Sequence, residues 1–328
     1  MKTRTIGSSV VPAIGLGCMN LSHAYGHPPT PELATQLLHK AFELGVRHFD
    51  TAALYGFGAN ETLVGEALKP YRAEIHLASK CGMTGVDGKR VIDGRPETLI
   101  RTLDAALDRL QTDHIDLYYL HRWDKSVPIE ESVGALQRMV AAGKIGAIGL
   151  SEVGAETLRR AHGVHPIAAV QTEYSLWTRN AEIAVLEACR ELNATFVAFS
   201  PVARGFLAGG VSSPQALVEK DIRRTMPRFQ EPHFTANSVW LGQFAQLAAE
   251  AGCTMAQLSL AWLLHQGEHI LPIPGTTSIA HLQENFAVVE LEVSEAILAK
   301  ASALINQASV SGARYPAATQ TEIDTEEF

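Results

Sequence analysis

The chain has 328 residues, 46% of them hydrophobic and 19% charged, so it can bury one large α/β core or two ordinary ones. A formal net charge of −8 argues against nucleic acid or an anionic membrane as the main partner, because both reward a basic face, and a small molecule is the expected ligand. Cys18, Cys81, Cys189 and Cys253 form no CxxC pair and have no histidine at metal-ligand spacing, which argues against a disulfide framework or a bound metal and for reduced thiols in the cytoplasm.

The opening MKTRTIGSSVVPAIGLG lacks the apolar core of a signal peptide, and no stretch approaches the ~18 uninterrupted apolar residues of a membrane span. Residues 2–11 read as a short hairpin. Barrel-type strands are then predicted at Ile14–Cys18, Arg47–Asp50, Ile75–Lys80, Ile115–His121, Ile145–Ser151, Ala168–Gln171, Thr195–Ser200 and Ile270–Ile273. Between the first two, Thr30-Pro31 supplies an N-cap and a first-turn proline, Leu33, Leu37, Leu38 and Ala41 an apolar face, and Gly45 a stop. Pro96–Leu110 repeats that pattern with Leu99, Ile100, Leu103, Ala106, Leu107 and Leu110.

Strands alternating with helices imply parallel pairing through right-handed crossovers, and eight such units without a GxGxxG turn predict a closed (β/α)8 TIM barrel. One domain is expected over residues 1–310, with an extended functional loop after strand seven, from Ala208 to about Thr235. Residues 311–328, ending in acidic TEIDTEEF, read as a mobile, non-catalytic tail.

In such a barrel every strand delivers its last residue to one face, where the βα loops build a site. Strand two ends at Asp50 with Tyr55 in its loop, strand three at Lys80 and strand four at His121. Singly, an Asp–Lys pair is often only an ion pair and a strand-end histidine only a satisfied core residue. Together they compose a proton-delivery unit for carbonyl reduction. The Lys80 ammonium is expected to lower the pKa of the Tyr55 phenol, the proton donor, while Asp50 holds Lys80 and His121 orients the carbonyl. Tyr25, Trp123 and Trp177 lie in segments expected to open onto that face as an aromatic substrate pocket, with Met19 and Asn20 at its floor. Each of the three aromatics also has a reading as packing between helices.

FDTAALYG (Phe49–Gly56), LASKCG (Leu77–Gly82) and DLYYLHRWD (Asp116–Asp124) resemble the hallmark segments of the aldo-keto reductases. IGLGCMNLSHAYG near the start, FSPVARGFL (Phe199–Leu207), MPRF (Met226–Phe229), IPGTTSIAHLQENF (Ile273–Phe286) and GARYP (Gly312–Pro316) resemble the bacterial and plant branch that includes pyridoxal-reductase-like and perakine-reductase-like members. The likeness spans nearly the whole chain.

The resemblance implies that Asp50, Tyr55, Lys80 and His121 form a catalytic tetrad, reducing aldehydes or ketones to alcohols with NADPH, an alcohol dehydrogenase (NADP+)-type activity on CH–OH groups. It implies that Ser151 and Gln171 hold the nicotinamide carboxamide and that Phe199 stacks where the family usually has tyrosine. Ser200, Val202, Arg204 and Gly205 match a pyrophosphate strap, and Gly275, Thr276, Thr277, His281, Glu284 and Asn285 the adenosine end. Gly17, Cys18, Met19, Asp50 and Pro201 complete the expected cofactor-binding set. PGTTS would present free backbone N–H groups to a phosphate as its helix opens, where its simpler role is an N-cap.

Two positions depart from the family. Glu152 replaces an asparagine many members use on the carboxamide, and a carboxylate accepts but does not donate, so that contact is not assigned to it. His281 stands where an arginine commonly meets the 2′-phosphate, so NADPH is expected to be favoured over NADH less strongly than usual. Two rival readings remain at this stage: a Schiff-base aldolase using Lys80 as nucleophile, and a cofactor-binding regulatory subunit with little turnover.

Overall fold

A computed structural model describes residues 2–22 and 24–328; His23, inside IGLGCMNLSHAYG, lies outside them. A hairpin of β1 (Thr3–Ile6) and β2 (Ser9–Pro12) comes first. The barrel strands are β3 (Leu16–Gly17), β4 (His48–Asp50) and β5 (His76–Cys81), followed, after a second hairpin of β6 (Met83–Val86) and β7 (Lys89–Ile92), by β8 (Ile115–Leu120), β9 (Ile145–Ser151), β10 (Ile167–Glu173), β11 (Thr195–Phe199) and β12 (Ile270–Pro272). All eight barrel strands pair in parallel in the order β12-β11-β10-β9-β8-β5-β4-β3. The Gly15 N–H donates to the Pro272 carbonyl at 3.1 Å and the Gly17 N–H to Pro274 at 3.4 Å, joining the first strand segment to the last. The fold is the expected (β/α)8 barrel.

The β6–β7 hairpin was not foreseen. Its turn is Asp87-Gly88 with both φ values positive (50° and 72°), a conformation Gly adopts freely and Asp tolerates. At the N-terminal end of the barrel, Ile6 and Val11 pack into the interior cluster with Leu117, Tyr119, Ala169 and Leu271, so the first hairpin plugs that mouth. Burial there removes apolar surface from water at about 25 cal/mol per Å2.

The expected extended loop follows β11 as a series of short turns over Pro214–Ala216, Ile222–Thr225 and Pro227–Phe229 and then the helix His233–Ser238. It is tied back across the barrel mouth, because the Ile222 N–H donates to Ala24 O (3.0 Å) and the Gly26 N–H to Asp221 Oδ2 (3.0 Å).

The tail corrects the sequence reading. Rather than hanging free, residues 314–326 pack along the C-terminal face. Arg314 pairs with the buried Glu152, Lys125 Nζ donates to Thr321 O (3.0 Å) and Ile323 O (2.8 Å), and Glu326 Oε1 accepts the Ala155 N–H (2.7 Å) at a helix start. Its acidic composition suggested solvation; the buried side chains of Tyr315 and Ile323 and these pairings hold it instead.

Two histidines lie in contact inside the barrel wall, His48 Nδ1 2.9 Å from His76 Nδ1. Burial drives both pKa values down, His48 well below 6.5 with help from His76 and Lys80, and His76 to about 4, against the upward pull of Asp116 and with Arg72 adding to the fall. Both are therefore neutral in the fold, and below pH 6.5 the unfolded chain binds protons that the native one refuses. Stability is expected to drop as pH falls, by about 2 kcal/mol per histidine between pH 7 and pH 5. Urea midpoints across that range, compared with His76→Gln, check this; an equal acid slope in both proteins would refute it.

Candidate active site

The strand ends bring the predicted groups together. Asp50 closes β4 and Lys80 lies on its neighbour β5, and both are buried. Lys80 Nζ forms a short ion pair with Asp50 Oδ1, donates to Thr51 O at 2.8 Å and reaches the Tyr55 hydroxyl at 3.3 Å. Tyr55 is carried by a turn in which Gly56, Phe57 and Gly58 all have positive φ (57°, 51°, 97°), which brings the chain back over the strand ends. His121 follows β8, fixed by its backbone N–H to Cys81 O (2.8 Å), and its ring meets that of Tyr55 edge-on at 5.9 Å.

Gln171 on β10 donates to Asp50 Oδ2 at 2.7 Å, so it braces the tetrad from the far side of the barrel besides facing the cavity. With both oxygens held, Asp50 is fixed as the counterion. Burial pushes the Lys80 ammonium down, but Asp50 and Tyr55 outweigh it and the net shift is upward. Burial raises the Tyr55 pKa above 10; Lys80 pulls against this and Asp50 adds to it. The expected lowering of Tyr55 is thus corrected: in the free protein desolvation wins, and the phenol keeps its proton. Burial, Arg122, Lys80 and Arg90 all lower His121, which is neutral.

A cavity of about 750 Å3 opens above these groups, and its wall contains Tyr55, His121, Ser151, Gln171 and Phe199. The segment Ser200, Pro201, Val202, Arg204 and Gly205 forms one side. Ser200, Ala203, Arg204 and Gly205 have φ of 49°, 50°, 56° and 88°, a run of left-handed backbone of the kind that turns N–H groups toward an anion. Gly275, Thr276, Thr277, His281, Glu284 and Asn285 line the far end. A Cβ on Gly275 would fall 2.6 Å from Asn20 Oδ1 and 2.8 Å from Gly17 O, so only glycine lets these segments close the floor. Ser278 caps the helix Ile279–Phe286 by accepting the His281 N–H. Backbone amides and hydroxyl side chains thus lie along one wall, groups of the kind that donate to phosphate oxygens.

Gly17, Met19 and Tyr25 also border the cavity, but three residues expected to bind cofactor or substrate do not. Cys18 is buried beneath it, its N–H donating to Asp50 O and its Sγ facing Leu16 O. Trp177 is core, packed on Phe206 (4.4 Å between ring centroids), Phe229 (5.6 Å) and Trp240 (6.4 Å). Trp123 is tied to Val127 O through its indole N–H (2.9 Å), under the Arg160 guanidinium. An aromatic is as good a packing residue as a pocket wall, and here packing won. Arg204 lines the cavity, yet its guanidinium is bound to Glu173 (2.7 Å) and the Tyr25 hydroxyl (2.9 Å).

Sequence reasoning missed Met83, Arg90, Arg122, Tyr315, Pro316 and Thr319, all of which line the cavity. Arg122 was within a quoted motif, as were Tyr315 and Pro316; the dipeptide Asp87-Gly88 announced the hairpin that carries Met83 and Arg90. Glu152, with φ of 57°, turns away from the cavity wall, accepts the Glu173 N–H at 3.1 Å and pairs with Arg314.

Comparison with known proteins gives one answer. The aldo/keto reductase family profile matches residues 13–306. The chain is 44% identical over 328 residues to aldo-keto reductase yakc [NADP(+)] of Schizosaccharomyces pombe, covering 98% of this chain and 96% of that protein. Among solved structures it resembles the glycerol dehydrogenase AKR11B4 of Gluconobacter oxydans (27% identity, TM-score 0.85, 92% of this chain and 94% of the other). It also resembles an aldo/keto reductase of Klebsiella pneumoniae in complex with NADP and acetate (27% identity, TM-score 0.73, 96% and 98%). With its barrel, its strand-end tetrad and a match across nearly all its length, the chain belongs to the aldo/keto reductase family.

Proposed function

We infer that the protein reduces the carbonyl of a small aldehyde or ketone to an alcohol with NADPH. The observation that carries this is the Tyr55 hydroxyl accepting a hydrogen bond from Lys80 at the floor of the cavity, which leaves its own proton free to point at substrate. NADPH supplies the hydride when bound. A carbonyl oxygen placed between Tyr55 and the neutral His121 would accept a hydrogen bond from each, and Tyr55 would give its proton as negative charge grows on that oxygen. Lys80 compensates the phenolate left behind, and Asp50 and Gln171 keep Lys80 in place. Ser151 and Phe199 are assigned to the nicotinamide end, the Ser200–Gly205 strap to the pyrophosphate, and Gly275 through Asn285 to the adenosine end.

Three partners occupy the Lys80 amine and its pKa is raised, which favours a fixed cation over a Schiff-base nucleophile. Absorbance assays of NADPH and NADH oxidation with pyridoxal, aromatic aldehydes, methylglyoxal and small ketones test the reading. NADPH turnover with at least one carbonyl class is expected, with NADH slower at limiting concentration. Tight NADPH binding without oxidation by any of them would favour a regulatory subunit, and borohydride trapping on Lys80 an aldolase.

A further inference from the structure

Three arginines with largely enclosed side chains are matched by a carboxylate: Arg204 by Glu173, Arg314 by Glu152, Arg223 by Asp221. Arg4 and Arg228 are not, but carbonyl and hydroxyl oxygens take their protons, and neither lines the cavity. Arg122 differs from all of these. It is 8% exposed, it lines the cavity beside His121, and its Nη1 donates only to two neutral oxygens, His121 O (2.7 Å) and Ser151 Oγ (3.3 Å). Its Nε is buried with no hydrogen-bond partner. The carboxylates of the site are already engaged, Asp50 by Lys80 and Gln171, and Glu152 by Arg314. A guanidinium left in this state is costly unless a ligand brings the missing charge.

The position of Arg122 indicates which ligand. It is close enough to draw down the pKa values of both Tyr55 and His121, the two groups that would flank a carbonyl oxygen. The Ser200–Gly205 strap and the Gly275–Asn285 wall stand ready for the phosphates of the dinucleotide, on other strands. Arg90, a second cation on the cavity wall, is spent on Glu322 of the tail. We propose that Arg122 is a specificity-determining residue that binds an anionic group, carboxylate or phosphate, carried by the carbonyl substrate a few bonds from the reacting carbon. This rests on the carbonyl-reductase reading above. A planar fork of N–H donors suits either anion, and enclosure strengthens the contact.

The test uses charged and neutral partners: 4-oxobutanoate against its methyl ester, and glyceraldehyde 3-phosphate against glyceraldehyde, with NADPH and the full-length protein. The wild type is expected to prefer at least one charged member by roughly 10- to 100-fold in kcat/KM. Which member wins separates carboxylate from phosphate recognition. In Arg122→Met the loss for the preferred charged substrate should exceed the loss for its neutral partner by about tenfold or more, mainly in KM, and Arg122→Lys should recover part of it. Arg122→Gln, which keeps a donor toward Ser151, serves if the methionine variant does not fold. Equal losses on charged and neutral substrates, or no preference in the wild type, would overturn the proposal while leaving carbonyl reduction intact. Absence of NADPH oxidation with all four compounds and with the neutral panel would instead defeat the underlying reading.

Discussion

Tyr55→Phe is expected to lower kcat for carbonyl reduction by about 100- to 10,000-fold while NADPH binding changes by no more than about twofold. The substitution removes one hydroxyl and little else. Lys80 keeps Asp50 and the Thr51 carbonyl, and the phenyl ring can keep its edge contact with His121. The loss should therefore fall on kcat, with proton donation removed and the cavity wall intact. Fluorescence titration with NADPH and steady-state reduction of one accepted aldehyde separate the two quantities. Unchanged turnover would remove Tyr55 from the acid role. The raised pKa adds a sign: reduction needs the protonated phenol, so the rate should hold across neutral pH and decline only as pH climbs through a value above 10.

The barrel and its tetrad were legible because each depends on local pattern. β9 was foreseen residue for residue as Ile145–Ser151, since an apolar run bounded by Gly and a terminal serine needs no distant partner to be read. β3 was overdrawn, as Ile14–Cys18 against Leu16–Gly17, because Gly15 and Cys18 make their hydrogen bonds to Pro272 and Asp50 outside regular strand pairing. The failures have another cause. Trp123 and Trp177 lie in segments expected to open onto the catalytic face or to pack between helices, and only three-dimensional packing decides whether an indole faces a cavity or Phe206. The tail was judged on composition, which cannot foresee an ion pair between positions 162 residues apart. Tyr55 was judged on its charged neighbour alone, and the desolvation that outweighs Lys80 is a property of the assembled floor.

Glu152 and Arg314 turn that last lesson into a measurement. Burial raises the Glu173 carboxyl, but Arg204, Arg314 and Arg228 pull it below the ordinary value, so Glu152 and Glu173 belong to one enclosed charge network with three arginines. Removing one cation leaves a carboxylate in a place water does not reach: in Arg314→Met, Glu152 would retain only the Glu173 N–H. Breaking such a pair costs about 3–5 kcal/mol, which corresponds to a melting temperature lower by roughly 5–15 °C. Glu152→Gln/Arg314→Met removes both charges and should recover part of the loss, because an amide is cheaper to enclose than an unpaired carboxylate. Since Tyr315, Pro316 and Thr319 line the cavity, the single variant should also bind substrate less well under conditions where it remains folded. A melting temperature within about 1 °C of the wild type would mean that the segment is held by its other contacts, to Lys125 and at the Ala155 helix start, and that the glutamate at position 152 does not depend on the tail for its countercharge.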